Sequence, residues 1–162
     1  MSRATVRAAV AQWFDPAYVP GLFATHRAEP KIIPGSDYGL EAFGGNLGAG
    51  SGAYAIVHIA DERERRVAIG GAHSGMKHVT YDIALVVHFR SVKPDALEAM
   101  DDYDALIEAL KQRLRADRNL GQNGLVIWQA GEDGDDIHIQ SDLPAEDDGS
   151  IYIWSVLEFK VV

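Results

Sequence analysis

The chain has 162 residues, the usual size of one domain, and its 47% hydrophobic and 24% charged residues are typical of a globular protein. It contains no cysteine, which excludes disulfides, thiolate metal sites and a cysteine nucleophile. Its net charge of -9 opposes tight binding to a nucleic-acid backbone. We interpret residues 1–162 as a single domain.

The N-terminal segment predicts a short amphipathic helix over residues 3–14. Val6, Val10 and Trp13 fall on one stripe at helical spacing, and Asp15 precedes a proline, where helices end. The segment lacks the apolar core of a signal peptide. Nowhere does the chain approach the roughly 18 consecutive apolar residues of a membrane span. We therefore expect cytoplasmic synthesis and no association with a membrane.

Two irregular segments follow the predicted helix. Residues 15–36 are rich in proline and predict an extended, turn-rich connection with a helix-like piece at 21–27. Residues 35–52 are rich in glycine and predict a flexible loop. A loop of this length inside a compact domain is usually functional.

Alternating apolar residues predict strands on both sides of one long helix. The strongest pattern covers 77–91, where odd positions from Val79 to Phe89 form a core face. Pro94 opens a helix over about 94–116, a position that favours proline because the N–H it lacks would be unpaired there. The predicted buried stripe of this helix comprises Leu97, Met100, Tyr103, Ile107, Leu110 and Leu114. The other predicted strands cover 53–60, 64–73 (after a turn at 61–63), 124–130, 136–141 and 151–162, with acidic loops at 131–136 and 144–150.

This element order predicts an α+β fold. A mixed, mainly antiparallel sheet would be flanked by the N-terminal helix and the one long central helix. We find no internal repeat and no boundary of a second domain.

Histidine and carboxylate side chains offer one weak metal site. His73 and His78 could approach each other across a turn, and Asp82 lies further along the same predicted strand. Ligands of a metal site usually cluster more tightly than this. We therefore favour outward-facing polar side chains, and keep a small metal-dependent enzyme as the alternative from a different class.

The other candidate motifs fail in their context. The GAHSG segment at 71–75 does not match the G-x-S-x-G nucleophile elbow, and a strand follows it. The glycines at 48–52 are followed by a strand and lack the lysine of a phosphate-binding loop. The acids at 131–136 do not have calcium-loop spacing. Trp13, Trp128 and Trp154 predict core or interface anchors. We predict that the chain is not an enzyme and needs no cofactor.

The order of segments resembles the tail terminator proteins of long-tailed bacteriophages of the actinobacterial-phage type. The matching segments are VRAAVAQWF, ALVVHFRS before a proline and a long helix, LGQNGLVIWQAGE, IHIQSDLP and IYIWSVLEFKVV. The match consists of the pattern of polar and apolar residues and of the order of the segments, and it is weakest over 15–52. A different neck, head-closure or tail-completion protein remains an alternative of the same class.

The resemblance implies a structural virion protein without catalytic residues. Six copies would form a ring that caps the tail tube, ends its polymerisation and joins the tail to the head connector or stopper protein. Its partners would be further copies of itself, the major tail tube protein and the connector, while genomic DNA passes through the lumen without specific binding. An acidic chain suits such a lumen. Its location would be the head-proximal end of the virion tail.

The two loops are the predicted contact regions for neighbouring subunits or the tube. In the glycine-rich loop, side chains suited to an interface lie at four positions, and the second loop supplies four acids. The predicted interface residues are Tyr38, Leu40, Phe43, Leu47, Glu132, Asp133, Asp135 and Asp136.

Overall fold

A computed structural model describes residues 2–29, 50–66, 77–123, 126–129, 137–147 and 149–162. The chain forms one mixed, mainly antiparallel sheet with two helices, which confirms the predicted α+β class and both flanking helices. Neither helix in the described part of the chain is long and apolar enough to cross a membrane.

Each helix begins at a side-chain cap. Helix α1 covers Arg3–Trp13, and the Ser2 hydroxyl accepts a hydrogen bond from the Thr5 N–H at 3.2 Å. Helix α2 covers Ala96–Ala116, and the Asp95 carboxylate accepts from the Leu97 N–H at 2.8 Å. Both caps satisfy an N–H that has no partner within its helix. The sequence therefore placed both helices correctly to within about two residues.

One end of the predicted buried stripe of α2 is wrong. Leu97 is 68% exposed, whereas Leu106, which was not predicted, is 2% exposed. Tyr103, Ile107, Leu110 and Leu114 are buried as predicted, and Met100 packs partly buried against the core. Leu97 shares a helix face with Asp101, Asp104 and Glu108, all of which are exposed, so this face of α2 points away from the core.

In the described ranges, seven strands make the sheet, in the order β1-β2-β3-β7-β4, with β5 and β6 also paired to β7. The strands are β1 (Leu22–His26), β2 (Ser51–Arg66), β3 (Lys77–Ser91), β4 (Trp128–Gln129), β5 (His138–Ser141), β6 (Ala145–Asp147) and β7 (Ser150–Val161).

Two predictions near the sheet edge are wrong. The predicted turn at 61–63 is absent, because β2 continues through these residues and pairs with β3 as far as Arg66 and Lys77, with a bulge between Ile59 and Asp61. The helix-like piece at 21–27 is instead strand β1, which pairs parallel to β2. Its apolar side chains gain more from the sheet face than from a helix of one turn.

Strand β7 lies between β3 on one side and three short strands on the other. β4 pairs with β7 at Lys160 and Val161, β5 with residues 155–158, and β6 with residues 150–152. Residues 145–147, which had been predicted as part of an acidic loop, are therefore strand. The antiparallel pairing of β7 with β3 runs from Tyr81↔Val161 to Ser91↔Ile151.

The two faces of the sheet differ. Odd-numbered residues of β2, β3 and β7 form one core with both helices, including Val57, Leu85 and Leu157, each no more than 1% exposed. Even-numbered residues form the second face, on which a small separate cluster contains Tyr54 and Ile56. Among the described residues, no helix residue belongs to that cluster. The helices thus cover a single face, as the alternation in β3 predicted.

Candidate interaction surface

An aromatic row crosses the second face of the sheet at right angles to the strands. Tyr54 in β2 lies opposite His88 in β3, and His88 lies opposite Trp154 in β7. The Tyr54 and His88 ring centroids are 4.6 Å apart with planes 8° apart, and those of His88 and Trp154 are 4.9 Å apart. His26 of β1 adds an edge-to-face contact to Tyr54 at 5.9 Å. The antiparallel registers of β2, β3 and β7 bring the rings of Tyr54, His88 and Trp154 together.

Exposure increases along the row. Tyr54 is 2% exposed, His88 is half-buried, and Trp154 is 53% exposed. A large aromatic ring that is well ordered by stacking yet open to solvent is the residue type most enriched at the centre of protein interfaces. The row therefore ends in a side chain suited to bind another protein.

Two further exposed hydrophobic side chains lie near the strands that carry the row. The Asp142 N–H donates to the Trp154 carbonyl at 2.8 Å, so Leu143 follows a residue that is bonded to β7, and Leu143 is 89% exposed. Phe23 is 39% exposed and lies over Gly52, where a Cβ would come within 2.2 Å of its ring. Single exposed hydrophobics are common, but several in one region favour contact with a partner.

The row is followed along β3 and β7 by a cationic contact. Arg90 lies opposite Tyr152, with its guanidinium carbon 5.4 Å from the tyrosine ring centroid. Its Nε and Nη2 donate to the Ser150 hydroxyl at 3.4 and 3.3 Å. Arg90 is held in place by these contacts and adds one positive charge beside the aromatic rings.

His88 is uncharged at neutral pH. Burial in the row lowers its pKa below the ordinary value of 6.5, while the Glu29 carboxylate opposes that shift weakly. A neutral ring stacks between Tyr54 and Trp154 without bringing a charge into the centre of the row. This arrangement suits an apolar contact rather than proton transfer to a substrate.

A second group of polar side chains, Ser51, Lys93 and Asp102, lines a cavity of about 410 Å³ beside α2, and the buried Ser91 contacts Ser51 next to it. The Ser51 hydroxyl donates to Asp102 at 2.6 Å, and the Lys93 ammonium lies 2.7 Å from the same carboxylate oxygen. The hydroxyls of Ser51 and Ser91 are 2.7 Å apart. A serine hydroxyl beside a lysine and a carboxylate is a combination that nucleophilic catalysis by serine could use.

The protonation states of this cluster are unsuited to activating a serine. The hydrogen bond with Asp102 raises the pKa of Lys93, so the amine stays protonated and cannot act as a base. Hydrogen bonds from Lys93 and Ser51 lower the pKa of Asp102, which makes that carboxylate a weaker base than usual. The cluster therefore connects the start of β2, the end of β3 and α2, and serves a structural role.

The eight predicted interface residues lie outside the described residues, since all of them fall in 30–49 or 130–136. The end of the predicted glycine-rich loop is described: Ser51 and Gly52 belong to β2. The predicted contact role of both loops therefore stays a prediction.

The candidate metal ligands are partly described. His78 is exposed near the start of β3, and Asp82 accepts a hydrogen bond from Arg63 at 3.4 Å, while His73 lies outside the described residues. Within the described ranges, no group of three or more histidine and acidic side chains is placed to hold a metal ion. An arginine beside Asp82 already provides the positive charge that a metal would bring.

The three tryptophans have different positions. Trp128 is 8% exposed in the core, Trp13 packs at its edge, and Trp154 is an exposed anchor. The predicted core position is confirmed for Trp128, while an interface role of Trp154 stays a prediction. The sequence did not show the aromatic row, because the partners of Trp154 depend on strand register. In the sequence, the only indication of the aromatic row was that Tyr54 and His88 occupy alternate positions of predicted strands, on the side away from the core.

Comparison with known proteins adds little to this description. No model of a known protein family matches the chain, and no curated protein is similar to it. One solved structure aligns with all 100% of this chain and 96% of its own length, at 18% sequence identity and a TM-score of 0.49. The name of that protein describes no function.

Proposed function

We propose that this chain is a structural assembly subunit of the phage tail terminator type, which forms a ring on the end of the tail tube. Its partners are further copies of itself, the tube protein and the head–tail connector. In this role it ends tube polymerisation and joins tail to head, with DNA passing through the ring.

The observation that supports this proposal is the sheet face that neither helix covers. Its row of stacked rings ends in the half-exposed Trp154, next to the exposed Leu143. An enzyme usually places its functional groups in a concave pocket with perturbed acids or bases. Here the stacked rings themselves are uncharged, and in the described part of the chain the cluster of Ser51, Lys93 and Asp102 has a protonated lysine in place of a base. A binding surface explains these features better than a catalytic site does.

Two sheet edges offer a second type of contact. Strand β1 and the interrupted row of β4, β5 and β6 form the edges, and β4 has only two residues. Edge strands have unpaired backbone groups, which neighbouring chains can use in an assembly. Short, interrupted edges also reduce random aggregation before the correct neighbour binds.

The test is whether the protein caps tail tubes. Purified protein would be mixed with tube protein, and the product examined by negative-stain electron microscopy and by mass in solution. We expect rings of about six copies on tube ends, as the resemblance implies. Trp154→Ala should prevent capping, whereas Arg115→Ala, which truncates an exposed side chain in the last turn of α2, should not.

Two outcomes would count against the proposal. Tubes that grow normally and stay uncapped with the wild-type protein would contradict the terminator role, and binding to connector instead would favour a different neck protein. A stoichiometric bound metal that is lost in His78→Ala would favour the metal-enzyme alternative.

A further inference from the structure

The β2–β3 pair extends beyond the rest of the sheet as a two-stranded ribbon. We define the ribbon arm as residues 61–66 and 77–80. β1 pairs with β2 only as far as Ile56, and β7 pairs with β3 only from Tyr81 onward. In the described part of the chain, the arm residues therefore have no strand partner outside the β2–β3 pair. From Asp61 to Arg66 the arm extends about 17 Å.

The arm has little support of its own. All residues of its β2 strand are exposed. Val79 packs partly buried against the core, and among the described residues the other side-chain contacts of the arm are exposed ion pairs, such as Lys77 with Glu64 at 2.7 Å and Arg3 of α1 with Glu62 at its base. Exposed ion pairs contribute little, and an isolated two-stranded ribbon is at best marginally stable in water. A ribbon of this kind gains its stability by packing on another surface.

The outer half of the arm is basic, although the chain is acidic overall. Arg65, Arg66 and Lys77 lie together at its end, against the single acid Glu64. The described residues contain no ion-pair partner for Arg65 or Arg66. With a chain net charge of -9, the surface most complementary to this arm is an acidic part of the same protein.

The first half of α2 provides such a surface. Glu98, Asp101 and Asp104 are exposed, follow one another at spacings of three along the helix, and have no ion pair among the described residues. Neighbouring like charges at this spacing destabilise a helix. We call these residues the acidic stripe, and the exposed Leu97 lies beside it.

The arm cannot reach the acidic stripe of its own chain. Ser51 at the start of β2 binds Asp102 of α2, so the stripe lies at that end of the sheet. Arg66 ends the same strand 15 residues later, about 50 Å away along its length. Complementary surfaces at opposite ends of one molecule produce head-to-tail contacts, which close into a ring when the rotation between neighbours closes and otherwise continue as an open filament.

We infer that the ribbon arm of one copy docks on the acidic stripe of α2 in the next copy. Arg65, Arg66 and Lys77 pair there with Glu98, Asp101 and Asp104. The contact is heterologous and repeats around a ring. It deepens the proposed assembly function by naming a subunit contact, but it requires no tail tube.

Charge reversal provides a sharp test. Variant A has Arg65→Glu and Arg66→Glu, and variant B has Asp101→Lys and Asp104→Lys. Each variant alone brings like charges together at every contact, so we expect self-association at low salt at least about tenfold weaker than wild type. In an equimolar mixture, the acidic arm of A faces the basic stripe of B, and the basic arm of B faces the acidic stripe of A. The mixture should therefore assemble again, with A and B in equal amounts.

Matched controls change the same number of charges elsewhere. Arg27→Glu with Arg118→Glu, and Asp142→Lys with Glu146→Lys, alter exposed residues outside the arm and the stripe. Both should associate like wild type. Circular dichroism and unfolding midpoints of A and B would confirm that they fold.

The readout is mass in solution by sedimentation and light scattering, at low and high salt. The inference is overturned if wild type stays monomeric up to about 1 mM at low salt, if A or B associates like wild type, or if the mixture stays monomeric. Rings that form through this contact yet do not cap tubes would contradict the terminator role alone. Capping that persists in A and B would contradict the arm contact alone.

Discussion

Trp13 and Arg113 exchange two hydrogen bonds between the ends of the two helices. The Trp13 indole N–H donates to the Arg113 carbonyl at 2.9 Å, and the Arg113 Nε donates to the Trp13 carbonyl at 2.9 Å. The guanidinium carbon lies 3.6 Å from the Trp13 ring and 4.4 Å from the Tyr18 ring. The arginine therefore lies between two aromatic rings and satisfies a carbonyl at the end of α1 that has no partner within the helix.

Arg113→Lys should destabilise the protein by about 1–2 kcal/mol, since lysine cannot keep both the planar stacking and the hydrogen bond. Arg115→Lys is the matched control on the exposed side of α2, and should change the free energy of unfolding by less than about 0.5 kcal/mol. Urea denaturation would measure both. Equal effects would show that the contact between Trp13 and Arg113 contributes nothing to stability.

Tyr103→Phe should cost about 1–3 kcal/mol. The Tyr103 hydroxyl lies 2.5 Å from the hydroxyl of Ser155, which is buried, and also contacts the Ser141 hydroxyl. Phenylalanine keeps the ring but leaves Ser155 without this partner. The double variant Tyr103→Phe/Ser155→Ala should recover part of the loss in the same unfolding assay, and an additive result would refute this account.

Protonation of His88 should destabilise the fold. Burial lowers its pKa in the folded state below the unfolded value of 6.5, so the unfolded chain binds more protons in that window. The stability that the neutral ring provides is complete above pH 6.5 and is lost as the pH falls through the folded pKa. His88→Phe should flatten the change in unfolding free energy between pH 7 and pH 5. An unchanged slope would show that another group causes it.

Two carboxylates with a lowered pKa affect the free energy of unfolding in a more acidic pH range than His88 does. Asp61 and Asp102 have folded pKa values below 3.8, and their contribution is lost only at lower pH. Measurements between pH 7 and pH 5 therefore separate the histidine from these two acids.

Leu110→Ala should cost about 2–5 kcal/mol because Leu110 is 0% exposed at the centre of the helix–sheet core. Leu97→Ala on the same helix should cost no more than about 0.5 kcal/mol, since that side chain is 68% exposed. Thermal unfolding of both variants distinguishes the observed helix face from the predicted one, in which position 97 was buried.

Local patterns were sufficient to predict most of the fold. Period-two alternation identified the core face of β3, and Pro94 located the start of α2. The predicted turn at 61–63 failed because charged residues are common in turns but are also tolerated in a solvated ribbon. Residues 22–26 were missed because a five-residue strand gives too short a pattern to separate from a helix turn.

The interaction surface depends on information that a single sequence does not contain. Tyr54, His88 and Trp154 are separated by 34 and 66 residues in the chain and meet because of two pairing registers. A shift of one residue in either register would turn these side chains toward the core face. The alternation of apolar and polar residues predicts which face of the sheet each side chain occupies. It does not predict which residue of the neighbouring strand lies opposite.

The location of β7 inside the sheet affects synthesis of the protein. The ribosome releases β2, β3 and α2 before residues 150–161 exist, so β3 stays without its second neighbour until then. Until then, a nascent chain exposes the apolar edge of β3 to chaperones and to other unfolded chains. The core can close only after residues 150–161 have left the exit tunnel, so β7 completes a sheet whose other long strands are already synthesised.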